Sequence, residues 1–198
     1  MFIAFEGGDC TGKSSLIEAV KQALPLYHLP CAGRKILPTS ALNGTETARK
    51  SREYLMEKHG DTHKDIDKML DAIKSVQVET VDALHRDTII LCDRWIQSTI
   101  VYQGLKHNAL KYVYDGIKER HIHEPDLTFI LTCKPAEIEK RLKVRKENNA
   151  CDPKSLEEIK LIQNYYKAEF ENRKNIVFLD TTNKDINDVV AEVLKRII

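Results

Sequence analysis

The sequence predicts an α/β domain, a three-layer α/β/α fold with a central, mostly parallel five-stranded sheet. Short apolar runs alternate along the chain with longer segments of helical period. The runs are continuously apolar rather than alternating, which is typical of parallel strands buried on both faces. At 198 residues the chain is long enough to bury a sizeable core, and we expect residues 1–198 to form a single domain.

Four strands are predicted from apolar runs that Gly, Asp, Pro or Asn residues bound. They are Phe2–Glu6, Thr88–Cys92, Leu127–Thr132 and Ile176–Leu179. The segment from Leu26 to Thr45 contains prolines and shows no clear period. There we expect a short strand, the fifth of the sheet, and a functional loop.

Helices are predicted between the strands, because apolar residues recur there with helical spacing. The best-defined apolar faces belong to three helices and consist of Leu16, Ile17, Val20 and Leu24; of Ile159, Ile162, Tyr166 and Phe170; and of Ile186, Val189, Val190, Val193, Leu194 and Ile197. Ser155 and Glu158 have the spacing of a capping box, which predicts that the second of these helices begins there. The polar residues 146–155 predict a surface loop before it.

Composition excludes several classes of protein. Hydrophobic residues make up 42% and charged residues 31% of the chain, and the formal net charge is only +1, so we expect no nucleic-acid partner. No apolar run approaches the ~20 residues that cross a bilayer, and no secretory signal is apparent, so we expect no membrane partner. Five cysteines without a CxxC pair predict reduced thiols and a cytoplasmic location.

The most informative segment is a glycine-rich loop directly after the first predicted strand. Residues 7–14, GGDCTGKS, match the pattern G-x-x-x-x-G-K-[ST]. Glycines let backbone N–H groups converge on a polyphosphate, and the following helix presents its positive dipole end to it. Lys13 would reach the β- and γ-phosphates of ATP, and the Ser14 hydroxyl would hold Mg²⁺. We expect the ATP-binding residues to be Gly7, Gly8, Cys10, Thr11, Gly12, Lys13, Ser14 and Ser15.

A second polar cluster follows the predicted strand Thr88–Cys92. Asp93 and Arg94 fall at the carboxyl edge of the sheet, where open α/β sheets bind ligands. Asp93 is placed to act on the Mg²⁺ shell or on the attacking oxygen. Arg94 can form bidentate hydrogen bonds to a monoester phosphate. The alternative is a structural ion pair at the end of a strand.

The helix after this pair carries Trp95, Ser98 and Tyr102 three and four residues apart, on one face. Such a stripe can line a nucleotide site. Aromatic residues at helical spacing more commonly form core, so both interpretations stay open.

At these residues the chain resembles the thymidylate kinase family of nucleoside monophosphate kinases. The matching segments are FEGGDCTGKSS, DRWIQSTIVYQG, and EPDLTFIL followed by KPAEIEKRL. Their order and spacing agree with the family pattern across most of the chain. The resemblance implies a P-loop kinase fold with a short lid, roughly residues 142–156. It also implies transfer of the γ-phosphoryl group of ATP to deoxythymidine 5′-monophosphate (dTMP) with Mg²⁺, and a homodimer.

The resemblance further implies individual roles on the acceptor side. Asp9 would lie near the sugar and phosphate of the acceptor nucleotide, and Arg94 would hold its phosphate. Ser98 would face the base. Tyr102 would pack under the sugar, where it disfavours a 2′-hydroxyl, with Gln103 beside it.

Two departures from the family pattern concern the acceptor. The loop after the second strand usually carries an arginine that grips the acceptor phosphate; here the region reads CAGRKILPTS, so Arg34 is the candidate. An alignment on VETVDAL puts Leu70 and Lys74 where the family usually has a base-stacking aromatic residue and an arginine. Leucine offers no π surface and lysine lacks the arginine fork, so the base specificity stays open.

A third departure concerns the catalytic cation. The family divides by whether a catalytic arginine resides in the P-loop or in the lid, and Cys10 occupies the P-loop position. The resemblance therefore implies a lid cation. Arg141, Arg145 and Lys146 are available, and we expect it to be Arg145.

Three other functions remain open at this point. One is a deoxynucleoside monophosphate kinase of different base specificity. Another is a deoxynucleoside kinase, which would need a carboxylate as general base near the sugar; Glu6 is the obvious candidate. The last is a nucleotide-dependent switch or binding module that binds ATP without acceptor-dependent turnover.

Overall fold

The computed structural model describes residues 1–26, 34–57, 61–84, 88–144 and 155–197. Within these ranges five parallel strands form one sheet with the strand order β2-β3-β1-β4-β5. The first strand in sequence is therefore the central strand in space, which is where the loop after β1 can be reached from both halves of the sheet.

The strands are β1 (Phe2–Gly7), β2 (Lys35–Ser40), β3 (Thr88–Asp93), β4 (Leu127–Thr132) and β5 (Ile176–Asp180). The four strands predicted from apolar runs are confirmed within one residue at each end. The fifth, expected in the proline-containing segment, is β2. Its proline is tolerated because β2 lies at an edge of the sheet.

Eight α-helices are seen in the described ranges: α1 (Lys13–Ala23), α2 (Glu46–Glu57), α3 (Thr62–Val76), α4 (Ile96–Thr99), α5 (Leu110–Glu119), α6 (Pro135–Val144), α7 (Leu156–Phe170) and α8 (Ile186–Ile197). α3 and α4 continue as π-helical segments, Gln77–Asp82 and Ile100–Leu105, and a 3₁₀ turn, Leu24–Leu26, follows α1. The predicted start of α7 is confirmed, since the Ser155 hydroxyl accepts the backbone N–H of Glu158 at 3.1 Å.

The sheet has one layer of helices on each face. Alternate residues of β1 enter opposite layers: Ile3 and Phe5 pack with α1 and α8, whereas Phe2 and Ala4 pack with α3, α4, α5 and α7. β1 is buried at every position, which explains why its sequence is apolar without alternation. The predicted three-layer architecture is confirmed.

The carboxyl edge of the sheet brings the strand ends together. Register pairs Phe5 with Asp93, and Ser40 with the same Asp93. On the other side of β1, Gly7 pairs with Leu131. The residues that follow β1, β2 and β3 therefore line one edge, and Gly7 marks the point where the chain leaves the sheet.

Gly7 has no room for a side chain. Its φ is +124°, and a Cβ atom built there would lie 2.3 Å from the carbonyl oxygen of Leu131. A backbone oxygen of a buried strand cannot move aside as the end of a side chain can. The close approach of β1 and β4 therefore depends on glycine at this position.

We predict that Gly7→Ala lowers the free energy of unfolding by at least about 2 kcal/mol, because the left-handed conformation and the clash both oppose a Cβ atom. Gly8→Ala is the matched control. Its φ lies outside the left-handed region, and its Cβ would meet Thr11 Cγ2 at 3.9 Å. Urea denaturation of both variants measures the difference, and equal losses would contradict the argument.

Candidate active site

The loop between β1 and α1 is shaped by its backbone. Cys10 and Gly12 adopt positive φ angles of 58° and 98°, and the Thr11 hydroxyl donates to the carbonyl oxygen of Gly8 at 2.8 Å. Gly12 is the N-cap residue of α1 and has no side chain that could accept the first N–H groups of that helix. The N-terminus of α1 therefore has no side-chain cap within the described residues. Ser14 and Ser15 are exposed in its first turn. An open helix N-terminus behind a glycine loop is suited to bind phosphate.

The Lys13 ammonium lies against the carbonyl oxygens of the loop. Its Nζ donates to Gly7 at 3.1 Å and to Gly8 at 2.8 Å. Burial lowers the pKa of Lys13 to about 8, and the nearby positive charge of Arg94 adds to this effect, while neighbouring carboxylates oppose it. An anion that takes the place of the carbonyl oxygens would restore the ordinary pKa.

Arg94 forms the opposite wall. Its backbone has a φ of +67° and its N–H donates to the carbonyl oxygen of Phe5 at 3.0 Å. The guanidinium donates through Nη2 to Asp9 Oδ1 at 2.6 Å and through Nη1 to the carbonyl oxygen of Gly7 at 3.1 Å. The Tyr102 ring centroid lies 5.5 Å from the Arg94 Cζ atom. The Arg94 side chain remains 21% exposed, so a ligand can reach it.

Glu6 lies beneath this wall and is completely buried. Oε1 accepts the backbone N–H groups of Trp95 at 2.6 Å and of Ser98 at 3.2 Å. Oε2 accepts the hydroxyl groups of Ser98 at 2.6 Å and of Tyr166 at 3.1 Å. Burial raises the pKa of the Glu6 carboxyl, while the Ser98 hydroxyl, the Arg94 charge and the two N–H groups oppose that shift.

Buried oxygens without a protein partner concentrate in the segment that follows β3. In the described part of the chain, six buried side-chain oxygens find no hydrogen-bond partner, and four of them belong to Asp93, Gln97, Thr99 and Gln103. Native proteins leave few such groups unpaired. The segment from Asp93 to Gln103 is therefore where a bound ligand, ion or water has polar atoms to satisfy.

The residues predicted for Mg²⁺ fit a weakly coordinated cation. Asp93 Oδ1 is buried and unpaired, and Ser14 is exposed at the start of α1. Nowhere in the described ranges do three or more His, Cys, Asp or Glu residues form a metal-binding group. Such a donor set suits Mg²⁺, which takes one or two protein ligands and keeps water and substrate phosphates as the others.

A third wall comes from α6 and from the turn after β5. Arg141 donates to the carbonyl oxygens of Cys10 at 3.3 Å and Thr181 at 2.9 Å, and Glu137 accepts from it at 3.2 Å. The Thr181 hydroxyl donates to the carbonyl oxygen of Thr11 at 2.9 Å. Among the described residues, Arg141 is therefore a positively charged side chain that contacts the loop. Arg145 and residues 145–154 of the predicted lid lie outside the described residues.

The structure does not bring Arg34 to the site. Arg34 precedes β2 and is exposed at the amino end of the strand. The carboxyl end is Ser40, which pairs with Asp93. This corrects the sequence interpretation, because part of the presumed loop CAGRKILPTS is β2 itself, and the loop that follows β2 begins at Ala41.

Leu70 and Lys74 also lie apart from the loop. Leu70 is completely buried in the core, where it faces Gly116 of α5. Lys74 Nζ is 3.5 Å from the carbonyl oxygen of His121, in the connection from α5 to β4. The apolar side chain of Leu70 packs in the core because α3 turns that face towards the sheet and α5.

The helix stripe after Arg94 divides between core and site. Trp95 is completely buried and packs edge-to-face on Phe2, with ring centroids 4.8 Å apart, so it is core. Ser98 was expected to face the base, but its hydroxyl is buried and bonded to Glu6, and it accepts from Arg94 Nη1 at 3.0 Å. Tyr102 contacts the same guanidinium with the face of its ring.

Two residues of the site were missed from the sequence. Tyr166 was grouped with Ile159, Ile162 and Phe170 as an apolar face, although a buried tyrosine hydroxyl needs a hydrogen-bond partner and this is a usable signal. Thr181 follows β5 at the carboxyl edge, and its role at the loop depends on the spatial order of the strands, which carries no local signal.

Comparison with known proteins agrees with this geometry. The family model described as thymidylate kinase matches residues 5–193. A thymidylate kinase of Mycoplasma capricolum subsp. capricolum is 30% identical over 210 residues, covering 100% of this chain and 94% of that protein. One from Rickettsia conorii is 28% identical, covering 98% and 96%. The crystal structure of thymidylate kinase from Ehrlichia chaffeensis superposes with a TM-score of 0.73 at 23% identity, covering 100% and 97%, which bears on the fold alone.

We predict that MgATP binding takes up a proton at alkaline pH. With a pKa of about 8 in the free protein, Lys13 is largely uncharged at pH 8.5, and phosphate charge raises its pKa on binding. Uptake should be roughly half a proton or more at pH 8.5 and about a tenth at pH 7. Calorimetry in buffers of different ionisation enthalpy measures it.

The control for this experiment is Lys13→Arg, because the guanidinium keeps its proton throughout this pH range. Binding to that variant should take up no proton at either pH. Equal uptake by the variant and the original protein at pH 8.5 would assign the proton to another group.

Proposed function

We propose that this chain, which belongs to the thymidylate kinase family, transfers the γ-phosphoryl group of ATP to dTMP, with ADP and dTDP as products. The P-loop accounts for a polyphosphate donor but not for the acceptor. The observation that carries the acceptor side is the Arg94 guanidinium, partly exposed and held beside Lys13 through the shared carbonyl oxygen of Gly7.

On the donor side, residues 7–15 hold the phosphates of ATP. The open first turn of α1 offers its N–H groups to them, and Lys13 exchanges its two carbonyl partners for phosphate oxygens. The transition state of phosphoryl transfer is loose and spreads negative charge over the equatorial oxygens. Catalysis therefore rests on positioned positive charge, which Lys13 supplies directly and which the lid cation, for which Arg145 remains our candidate, would supplement.

On the acceptor side, Arg94 holds the phosphate of the monophosphate in line with the donor. Its planar fork can take two phosphate oxygens at once. In the free protein Asp9 occupies the fork at 2.6 Å, so the acceptor phosphate competes with Asp9, which then lies next to the acceptor sugar and phosphate. Tyr102, already against Arg94, packs under the sugar, with Gln103 beside it.

We assign the Mg²⁺ site to Ser14 and Asp93, whose oxygen donors suit this ion as described above. Mg²⁺ supplies neutralisation of the charge on the β- and γ-phosphates when it is bound. The protein's own contribution is to keep one carboxylate oxygen, Asp93 Oδ1, buried and without another partner.

A deoxynucleoside kinase is disfavoured by the state of Glu6. Both of its oxygens accept hydrogen bonds from protein groups, and the side chain is fully buried. A general base must reach the hydroxyl whose proton it takes. An acceptor that already carries a phosphate needs no such base, and its phosphate can replace Asp9 as the partner of the Arg94 guanidinium.

The base specificity rests on different residues from those expected. Leu70 lies in the core, and Lys74 lies near the carbonyl oxygen of His121. The identity of these two residues is therefore no argument for or against thymine as the base. The unpaired oxygens of Gln97, Thr99 and Gln103 are the polar atoms that a bound base or its water would satisfy. We assign dTMP from the family and treat these three side chains as the specificity candidates.

We also propose a cytoplasmic homodimer without a nucleic-acid partner, on the charge and cysteine content and on the family. No helix in the described ranges is long and apolar enough to cross a membrane. Val78 and Leu84, on the continuation of α3, are 52% and 43% exposed. They favour this segment over residues 95–105, which are mostly buried within the chain, as part of the dimer contact.

We predict that Arg94→Ala lowers kcat/KM for dTMP about 10³-fold, because removal of a positioned arginine from phosphoryl transfer has effects of this size. Lys13→Ala should lose turnover to a similar degree. Arg120→Ala is the matched control: Arg120 is likewise paired with carboxylates, here Asp67 and Asp71 of α3, but it lies outside the loop. A folded Arg94→Ala variant with the activity of the control would refute the assignment.

The proposed activity is tested with a panel of acceptors. ADP release from MgATP is measured with dTMP, dUMP, dCMP, dGMP, dAMP, UMP and unphosphorylated thymidine, and the products are identified by chromatography. We predict turnover with dTMP far above the others. Preference for another monophosphate would keep the mechanism and change the base, whereas turnover with thymidine alone would remove the acceptor-phosphate role of Arg94. ATP binding without turnover would indicate a binding module.

A further inference from the structure

We propose that Glu6 is a positioning residue for Arg94: its buried carboxylate fixes both the backbone and the guanidinium of that arginine. The proposal rests on the proposed function, in which Arg94 holds the acceptor phosphate. Glu6 does not touch the reacting groups, because it is completely buried and its oxygens face α4 and α7.

The first part of the argument is the way in which α4 begins. Trp95 is the N-cap of α4 and Ser98 its third residue. In a capping box these two backbone N–H groups are satisfied by the side chains of the N-cap and third residues. The indole of Trp95 cannot accept a hydrogen bond, and no side-chain cap of α4 comes from Trp95. Glu6 Oε1 accepts both N–H groups instead.

This substitute cap fixes the residue before it. Arg94 has a φ of +67°, a left-handed conformation that is unfavourable for a non-glycine residue. It persists where the surroundings impose it. The N–H of Arg94 is bound to Phe5, and the next N–H, that of Trp95, is bound to Glu6 at 2.6 Å. β1 therefore holds the backbone on both sides of the Arg94 Cα atom.

The second part is the guanidinium. Oε2 of Glu6 accepts the Ser98 hydroxyl at 2.6 Å, and the same hydroxyl oxygen accepts from Arg94 Nη1 at 3.0 Å. Because the Ser98 proton points to Glu6, its lone pairs are turned towards Arg94. The second guanidinium nitrogen, Nη2, binds Asp9, a partner that an acceptor phosphate would replace. The link through Ser98 stays in place when that happens.

The test is the Glu6→Gln variant. The amide keeps the shape of the side chain and one oxygen for the cap of α4. Its NH₂ group donates where Oε2 accepted, so the Ser98 hydroxyl must turn. We expect a folded enzyme whose kcat/KM for dTMP falls about 10- to 100-fold, since misplacement of a positioning group has this effect. KM for ATP should stay within about threefold.

Two controls separate positioning from general damage to the structure. Tyr114→Phe removes a tyrosine hydroxyl that likewise bonds a glutamate and an arginine, Glu169 and Arg173, and leaves the hydrogen bonds of Glu6 and Ser98 in place. It should lose less than about threefold in kcat/KM. In an Arg94→Ala background, Glu6→Gln should have no further effect, because the guanidinium that it positions is gone.

Several results would overturn the proposal. These are wild-type kinetics for Glu6→Gln, a rise in KM for ATP equal to the rise in KM for dTMP, the same loss in Tyr114→Phe, or an undiminished effect in the Arg94→Ala background. If Glu6→Gln does not fold, Ser98→Ala breaks the second link alone and must show the same acceptor-specific loss. An original protein that uses no monophosphate overturns the proposed function itself, before any variant is compared.

Discussion

The carboxylate of Glu6, buried at the end of the central strand, is the contact on which the charged site depends. It ties β1 to the start of α4 and, through Tyr166, to α7. The two N–H groups and two hydroxyl groups that it accepts come from elements that follow different strands, and no local sequence pattern would join them. Burial raises the pKa of this carboxyl, because it disfavours the charged form. The four hydrogen-bond donors offset this desolvation cost, which would strongly destabilise a carboxylate without partners.

In the free protein, the positive charges of the site already have partners within the chain. Lys13 and Arg94 share the carbonyl oxygen of Gly7. Burial lowers the pKa of Lys13, and the positive charge of Arg94 lowers it further. Asp9 compensates Arg94 directly at 2.6 Å. In the proposed function, one phosphate group takes the place of the carbonyl oxygens at Lys13, and another takes the place of Asp9 at Arg94. The cations are therefore already oriented when the phosphates bind, which lowers the reorganisation that catalysis requires.

How much of this could be predicted from the sequence depends on whether the signal was local. The P-loop and four of the strands could be predicted, because each is a contiguous sequence pattern. β2 was expected in its segment without bounds, since KILPTS is a half-buried edge strand with a proline. Arg34 was therefore assigned to the loop after β2, although it precedes the strand. Leu70 and Lys74 were misplaced because the side of α3 that faces the site is set by its packing on α5. Tyr166 had the right period for core, and only its hydroxyl distinguished it.

The spacing of the second motif now has a physical explanation. Arg94 and Ser98 are four residues apart, and the sequence analysis assigned the first to the acceptor phosphate and the second to the base. The structure separates their roles: Arg94 precedes the N-cap, and Ser98 is the third residue of α4, whose N–H and hydroxyl both bind Glu6. Helix capping fixes the distance between an N-cap and the third residue, so the interval between this arginine and this serine follows from the start of a helix. A serine that completes a cap in this way is constrained by Glu6 whatever base the acceptor carries, and for that reason it cannot by itself report the specificity of the enzyme.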